Sequence, residues 1–329
     1  MTIGARLLPA QTANELEWTY FGPEQGMGMA FHDILQDHRG FIWFGTSNGL
    51  YRYDGYQIRS FKKYTNRSAG LLSDYIWDLE EDAAGNIWLA TYDGGISRWD
   101  RASGKFTHYQ HRPGTSAGLS GNNVLKILID GAGDVWAVVK TPRGVPVLDK
   151  LVVATGEVKH YRYDVDDAST LSCDTISVTA FPIMQFNPLH LDSEGRVWVA
   201  TLHGLNVYDR QTDGFRRFLH KKGDPKSLPF DRVLSVDASK KDKQKLWVRT
   251  ASTDLQQVAL ACLDLAGNTV KRIDLAAQNE DRPNPFGFHL SDDETAFWIS
   301  GDDLRQFKLT DTLIVEHQRM EWKSTEGSA

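Results

Sequence analysis

Asn48, Asp74, Tyr75, Tyr92, Asp93, Asn122, Asn123, Arg143, Asp174, His203, Asp231 and Arg232 all fall in turns between short apolar runs of this 329-residue chain. Carboxylates and amides accept hydrogen bonds from hydroxyls, aromatic faces stack on sugar rings, and the two arginines add positive charge. Such a set suits a carbohydrate or another polar small molecule. The same residue types also make ordinary turns, because Asp, Asn and Ser bond their own backbone just before a strand. No catalytic residue is assigned, since no nucleophile, base and orienting group stand together in a linear motif and no Gly-rich phosphate loop occurs. His108, His111, His190, His203, His220 and His289 are dispersed without zinc-ligand spacing, and no metal or cofactor is expected.

The elements that position these residues are set by a repeat. Asp37 to Trp43 reads DHRGFIW, Asp82 to Trp88 DAAGNIW, Asp130 to Trp136 DGAGDVW and Asp192 to Trp198 DSEGRVW, with weaker copies at Trp247 and Trp298. The six Trp residues are 45, 48, 62, 49 and 51 positions apart, the period of a small four-stranded sheet with its turns. Within a unit, apolar and polar residues alternate with period two and turn residues separate the runs. The second unit predicts strands at Ile76–Glu80, Asn86–Thr91, Ile96–Trp99 and Lys105–Tyr109. Gly85 and the Asp82 turn join the first pair, because Gly accepts positive φ and Asp caps the turn.

The first unit repeats this grammar with Ile34–Leu35, Phe41–Thr46, Gly49–Asp54 and Ile58–Tyr64, and the fourth with Leu189–Leu191, Val197–Thr201, Leu205–Tyr208 and Gly214–Leu219. One such sheet cannot cover both of its faces, so neighbouring units must stack, each Trp packing on the next sheet. Stacked four-stranded units make a β-propeller. The expected fold is therefore all-β, a propeller of four-stranded antiparallel blades with six recognisable repeats. Seven segments compete as outer strands, the seventh being Glu15–Phe21 at the N-terminus. The ring is thus either six-bladed with an extra edge strand or seven-bladed and incomplete, with Leu313–Trp322 opening the last blade.

The phrases GFIWFGTSNGLYRYDG at Gly40 to Gly55 and GNIWLATYDGGISRWD at Gly85 to Asp100 resemble two-component regulator propeller repeats. The resemblance implies a periplasmic, extracytoplasmic sensor domain of a bacterial signal-transduction receptor whose output, a histidine kinase or a diguanylate cyclase, lies outside this chain. It also implies a site at one mouth of the central channel, where the loops between second and third strands and between blades converge; the twelve candidates above are drawn from those loops. Two alternatives stay open. Similar Gly-x-Ile-Trp repeats occur in propeller lyases, and Asp74, Asp174, Asp231 and His203 could converge from separate blades as an enzyme site. A protein-docking propeller or homodimer is the other, to be recognised by a contiguous exposed apolar patch.

Charge narrows the partners. With 37 basic and 43 acidic residues interspersed and a formal net charge of −6, a nucleic-acid surface is not expected. The densest basic run, Lys240 to Lys245, reads as a solvated hairpin. No stretch approaches the ~20 apolar residues that span a bilayer, so no direct membrane insertion is expected. Residues 1–14 read as an N-terminal extension that resembles the tail of a secretory signal, with Leu7–Ala10 a clipped apolar core; 15–322 form the propeller and 323–329 a polar tail. The chain is expected to be a fragment of a longer exported protein. Cys173 and Cys262 lie in different repeats and are expected as two free thiols.

Overall fold

The computed structural model describes residues 30–63, 70–115, 117–178, 187–239, 242–255, 257–267, 269–273, 288–290, 295–300, 303–309 and 314–321. It is built of β-strands, and no α-helix occurs among the described residues. They form six antiparallel sheets of four strands, each in simple chain order. The first two are β1(Phe31–Gln36) to β4(Ile58–Phe61) and β5(Ile76–Glu81) to β8(Phe106–Tyr109). Next come β9(Asn123–Ile129), β10(Val135–Lys140), β11(Pro146–Val152) and β12(Glu157–Tyr161), then β13(Leu189–Leu191), β14(Val197–Thr201), β15(Gly204–Asp209) and β16(Gly214–Phe218). The last two are β17(Arg232–Ala238) to β20(Thr269–Ile273) and β21(Phe288–Leu290) to β24(Ile314–Glu321). Each expected unit is thus one blade. Ile314–Glu321 is the outer strand of the sixth blade, in place of the opening strand of a seventh. Glu15–Phe21 and both predicted terminal segments lie outside the described residues.

The chain divides into two compact units, residues 1–109 and 110–329. In the first, Trp43, Leu50, Ile76, Leu79, Ile87 and Trp99 form a buried cluster between its two blades. In the second, Trp136 packs with Leu171, Ile176 and Val199 of the following blade, and Trp198 with Leu228, Val233 and Val248 of the next. The second strand of a blade is therefore covered on both faces: Ile87–Thr91 and Val197–Thr201 are buried at every position. The outer strands Ile58–Phe61 and Phe106–Tyr109 are less buried, with no position fully covered.

The motif Asp does more than make a turn. Asp37 Oδ1 accepts from the amides of Arg39 and Phe41 at 3.0 Å, while Oδ2 accepts from the Trp43 indole Nε1 at 2.9 Å. Asp82 does the same to Trp88 at 2.9 Å, Asp130 to Trp136 at 3.0 Å and Asp192 to Trp198 at 2.8 Å. One carboxylate closes the hairpin and gives the buried indole the partner that burial demands. Burial alone would raise the Asp37, Asp82 and Asp192 pKa values, but these hydrogen bonds outweigh it and hold all three low.

The first strand of several blades carries a β-bulge at one common place, skipping His32, Trp77, Leu125 and Leu234 in the pairing. In the fourth blade Ile176 bridges Thr201, yet the ladder resumes only at Leu189, opposite Val199. The unusual Trp136 to Trp198 spacing therefore arises from an insertion at the bulge position, where an unpaired residue already interrupts the ladder.

Candidate functional site

In the first unit the turns after β2(Ile42–Thr46) and before β5 meet. The Gly49 amide donates to the Asp74 carbonyl at 2.5 Å, and Asp74 Oδ1 accepts from the Lys63 amide at 2.6 Å. Asn48 is held by the Thr46 hydroxyl, which accepts its amide at 2.9 Å, and its carbonyl accepts from Lys62 Nζ. Tyr75 stacks on His32 with centroids 4.7 Å apart and contacts Trp77 at 4.7 Å and Tyr92 at 5.6 Å. Asp93 pairs with Lys63 at 3.9 Å across solvent. Asn48, Asp74, Tyr75, Tyr92 and Asp93 are thus brought together, with half-exposed Tyr92 as an aromatic face. Burial raises the Tyr75 pKa and lowers that of His32, so both rings are neutral at pH 7.

In the second unit Asn122, Arg143 and Asp174 gather around the third blade, and Asn123 begins β9 opposite Lys140. His203 and Asp231–Arg232 stand at the fourth and fifth blades: the His203 amide donates to Thr201 Oγ1 at 3.2 Å, and Arg232 pairs with Ala251 at the start of β17.

Part of the candidate set has a repeated structural task. Asn122 Oδ1 accepts from the His111 amide at 2.8 Å and Asp174 Oδ1 from the Tyr163 amide at 2.6 Å, each across eleven residues, the same separation as Asp74 to Lys63. The side chain before each new blade ties the exit of the previous outer strand. A buried leucine accompanies each tie, Leu71, Leu119 and Leu171. His111 Nδ1 donates to the Leu119 carbonyl at 2.6 Å and His220 Nδ1 to the Leu228 carbonyl at 2.7 Å. This second repeat, Leu-x-x-Asp/Asn, is readable in the sequence as AGLLSD, AGLSGN and STLSCD.

An open groove of about 630 Å³ lies within the second unit, lined by His111, Ser120, Arg143, His160, Arg162 and Asp174 among others. Of the twelve residues that the sequence puts forward for ligand contact, only Arg143 and Asp174 stand in this lining. Behind two of the lining residues, Ser120 and His160, is Asp149, a wholly buried carboxylate on β11. Asp149 accepts from the Ser120 amide at 2.6 Å and the Ser120 hydroxyl at 2.7 Å, and meets His160 Nδ1 at 2.8 Å. Arg162 Nη2 donates to Ser120 Oγ at 2.6 Å. The signal for these residues is a carboxylate inside an apolar strand, Val147-Leu148-Asp149, where a buried charge demands partners.

Ser, His and Asp side by side invite a nucleophile reading, which the geometry opposes. In a working triad one imidazole nitrogen faces serine and the other the carboxylate. Here the same Nδ1 stands 3.1 Å from Ser120 Oγ and 2.8 Å from Asp149 Oδ1. The fourth blade repeats the tie without a charge, the Ser172 amide donating to Asn206 Oδ1 at 2.9 Å. Asp149 therefore fastens a connecting loop to its blade. Cys173 and Cys262 are not joined in a disulfide, and no cluster of metal-ligating residues occurs among the described residues. No helix among them is long and apolar enough to cross a membrane.

The chain carries two component regulator propeller repeats, matched by the family model at residues 25–48 and 70–93. No curated protein matches it. Among solved structures it is similar to an extracellular domain of a hybrid two component system of B. thetaiotaomicron, at 19% identity over 85% of this chain and 40% of that one, TM-score 0.45. It is also similar to PorZ, a surface component of the type-IX secretion system of Porphyromonas gingivalis, at 16% identity over 84% of this chain and 38% of that one, TM-score 0.52. The Dos1 propeller matches at 13% identity over 90% of this chain and 71% of its own, TM-score 0.52. The chain spans less than half the length of the hybrid-system domains it matches, 40% and 43%. The likenesses to PorZ and to the Dos1 propeller support the fold, a β-propeller of four-stranded blades.

Proposed function

We propose that this chain is a non-catalytic, ligand-sensing β-propeller region of a bacterial signal-transduction receptor, placed outside the cytoplasm. The single observation that carries the reading is the pair of regulator propeller repeats, the type of module in which sensing and output occupy separate domains. On this reading a polar small molecule or oligosaccharide binds at the loops between strands and blades, and a kinase or cyclase elsewhere in the receptor reads the result. Binding would act only through a difference in ligand affinity between two receptor states. The alternative enzyme reading, drawn from Asp74, Asp174, Asp231 and His203, gains no support from Ser120, His160 and Asp149, where one imidazole nitrogen faces both partners.

The direct test is a thermal-shift screen of the purified chain against oligosaccharides, monosaccharides, amino acids and nucleotides. A ligand at a hundred times its Kd stabilises a folded protein by about 2.7 kcal/mol, a shift of a few degrees for a chain of this size. A complete panel with no shifted melt would sink the small-molecule reading and leave protein docking.

A further inference from the structure

At one end of each blade the residue after the second strand meets the residue at the entry of the first. The Tyr92 amide donates to the Tyr75 carbonyl at 3.0 Å, Ser47 to Ala30 at 3.1 Å and Leu202 to Thr175 at 3.1 Å. In the third and fifth blades the same register pairs Lys140 with Asn123 and Ala251 with Arg232. Two residues beyond each entry stand His32, Trp77, Leu125, Ser177 and Leu234. Among these five blades the second alone fills all three places with aromatic rings, Tyr75, Trp77 and Tyr92. The first has Ala30, His32 and Ser47 there and the fourth Thr175, Ser177 and Leu202, so the blade fold does not require rings at these places.

The three rings are inclined to one another. Tyr75 meets Trp77 at 4.7 Å and 58° and Tyr92 at 5.6 Å and 48°. Tyr92 is half exposed, and Tyr75 and Trp77 are partly so. A sugar ring asks for one flat face, whereas inclined faces suit a rounded ammonium head that touches several at once. His32 stacks on Tyr75 at 4.7 Å and, kept neutral by burial, sets no charge against a cation.

Elsewhere the chain covers its motif tryptophans with cations of its own. Arg52 stands over Trp43 at 5.6 Å, Arg98 over Trp88 at 5.6 Å, Lys150 over Trp136 at 5.1 Å and Arg196 over Trp198 at 5.9 Å. Over Tyr75, Trp77 and Tyr92 no lysine or arginine stands among the described residues. Carboxylates adjoin them instead, Asp74 before Tyr75 and Asp93 after Tyr92. Asp74 gives one oxygen to the Lys63 amide. Asp93 meets Lys63 Nζ at 3.9 Å with both side chains half exposed, a pair worth little in solvent.

We propose that Tyr75, Trp77 and Tyr92 form a recognition site for an organic cation with a methylated ammonium head, its charge over the rings and turned toward Asp74 and Asp93. The site gives the ligand-sensing reading above a ligand class and rests on that reading.

Calorimetry on the purified chain compares choline with dimethylbutanol, its uncharged isostere with carbon in place of nitrogen, for wild type, Tyr92→Leu and Trp77→Leu. Each substitution installs the residue type that another blade carries at the same place, Leu202 for the first and Leu125 or Leu234 for the second, and urea midpoints check that both variants fold. Choline is expected to bind wild type, about two- to fivefold more weakly in Y92L and more weakly still in W77L, where the lost ring is less exposed. Dimethylbutanol is expected not to bind; its binding as well as choline overturns the cation. Choline bound equally by all three proteins overturns the site. Phosphatidylcholine vesicles, which carry the same head, are sedimented with the same proteins. Capture that depends on the rings supports the site with a lipid surface as source, and ring-dependent binding of free choline alone supports it with a solute as source. Galactotriose bound by wild type and lost in Y92L overturns the cation and leaves sensing in place. Binding of neither choline nor vesicles overturns the site; a hit in the wider screen then keeps the sensing reading, and an empty screen removes both.

Discussion

The Trp198 indole Nε1 donates to Asp192 Oδ2 at 2.8 Å, with the tryptophan wholly buried and the carboxylate nearly so. The same carboxylate accepts from the amides of Glu194 and Arg196 at 2.9 Å and from Arg196 Nε at 2.7 Å. Replacing it removes the partner of a buried indole, of two turn amides and of a guanidinium at once. Asp192→Ala is therefore expected to destabilise the second unit by about 3 kcal/mol, since each buried donor left unsatisfied costs about 1–3 kcal/mol. Asp192→Asn keeps one acceptor oxygen but sets an NH2 group against the donors that the other oxygen served, so it should recover only part of that loss. Urea unfolding followed by tryptophan fluorescence reads both; an alanine variant as stable as wild type would show that neither the turn bonds nor the indole bond of Asp192 carries the stability of this blade.

The fifth blade tests the same idea in reverse. Its hairpin closes with the Ser239 amide on the Lys245 carbonyl at 2.9 Å, a longer turn than Asp192 to Arg196, and Trp247 Nε1 has no partner among the described residues. Trp247→Phe gives up packing but no hydrogen bond, whereas Trp198→Phe also withdraws a donor from Asp192. The second substitution should cost about 1 kcal/mol more than the first. Equal losses in parallel urea titrations would contradict this assignment.

The sequence carried the blades further than the site. Period-two runs and the Asp-x-x-Gly turn located strands such as Ile96–Trp99 and Leu189–Leu191 because both signals are local. The Asp-to-Trp spacing was visible too, but its hydrogen bond was not, since spacing does not tell which way a carboxylate oxygen turns. The groove was out of reach for a different reason. A buried tie beside it joins Ser120, Asp149 and His160 across separations of 29 and 40 residues, and only the strand pairing shows that His160 stands where the fourth and fifth blades place Arg217 and Arg272 and the second places His108. Arg143 and Asp174 were legible as loop residues. Their common groove depends on the length of one hairpin and the fold of one connection.

Asp174 has a structural bond and a proposed ligand contact, and two substitutions separate them. Asp174→Asn keeps an oxygen for the Tyr163 amide and should leave the melting temperature unchanged. Asp174→Ala removes the tie and is expected to lose about 1 kcal/mol, lowering the melt by a few degrees at most. Thermal unfolding of the two variants decides it; an asparagine variant as unstable as the alanine one would mean that the charge, rather than the hydrogen bond, holds the connection.

Asp213 gives the second unit a predictable response to acid. It accepts from Tyr208 Oη at 2.6 Å, Tyr161 Oη at 2.7 Å and Lys159 Nζ at 2.7 Å, joining the outer strand of the third blade to the turn before β16. Burial would raise its pKa, but the bonds from Lys159, Tyr208 and Tyr161 outweigh that and hold it down to about 2. Burial and the carboxylate push Tyr208 up to about 12, so both tyrosines stay protonated donors through the physiological range. A folded-state pKa below the unfolded value of about 3.9 contributes stability that is present above the unfolded pKa and is lost as pH falls toward 2. Asp213→Asn cannot contribute this term. Its backbone φ of 54° is one that asparagine tolerates, so the substitution tests charge without added strain. Urea midpoints measured at about pH 6, 4, 3 and 2, a range that brackets both pKa values, should show the difference between wild type and the asparagine variant shrinking as the pH falls; a constant difference across that range would place the acid sensitivity elsewhere.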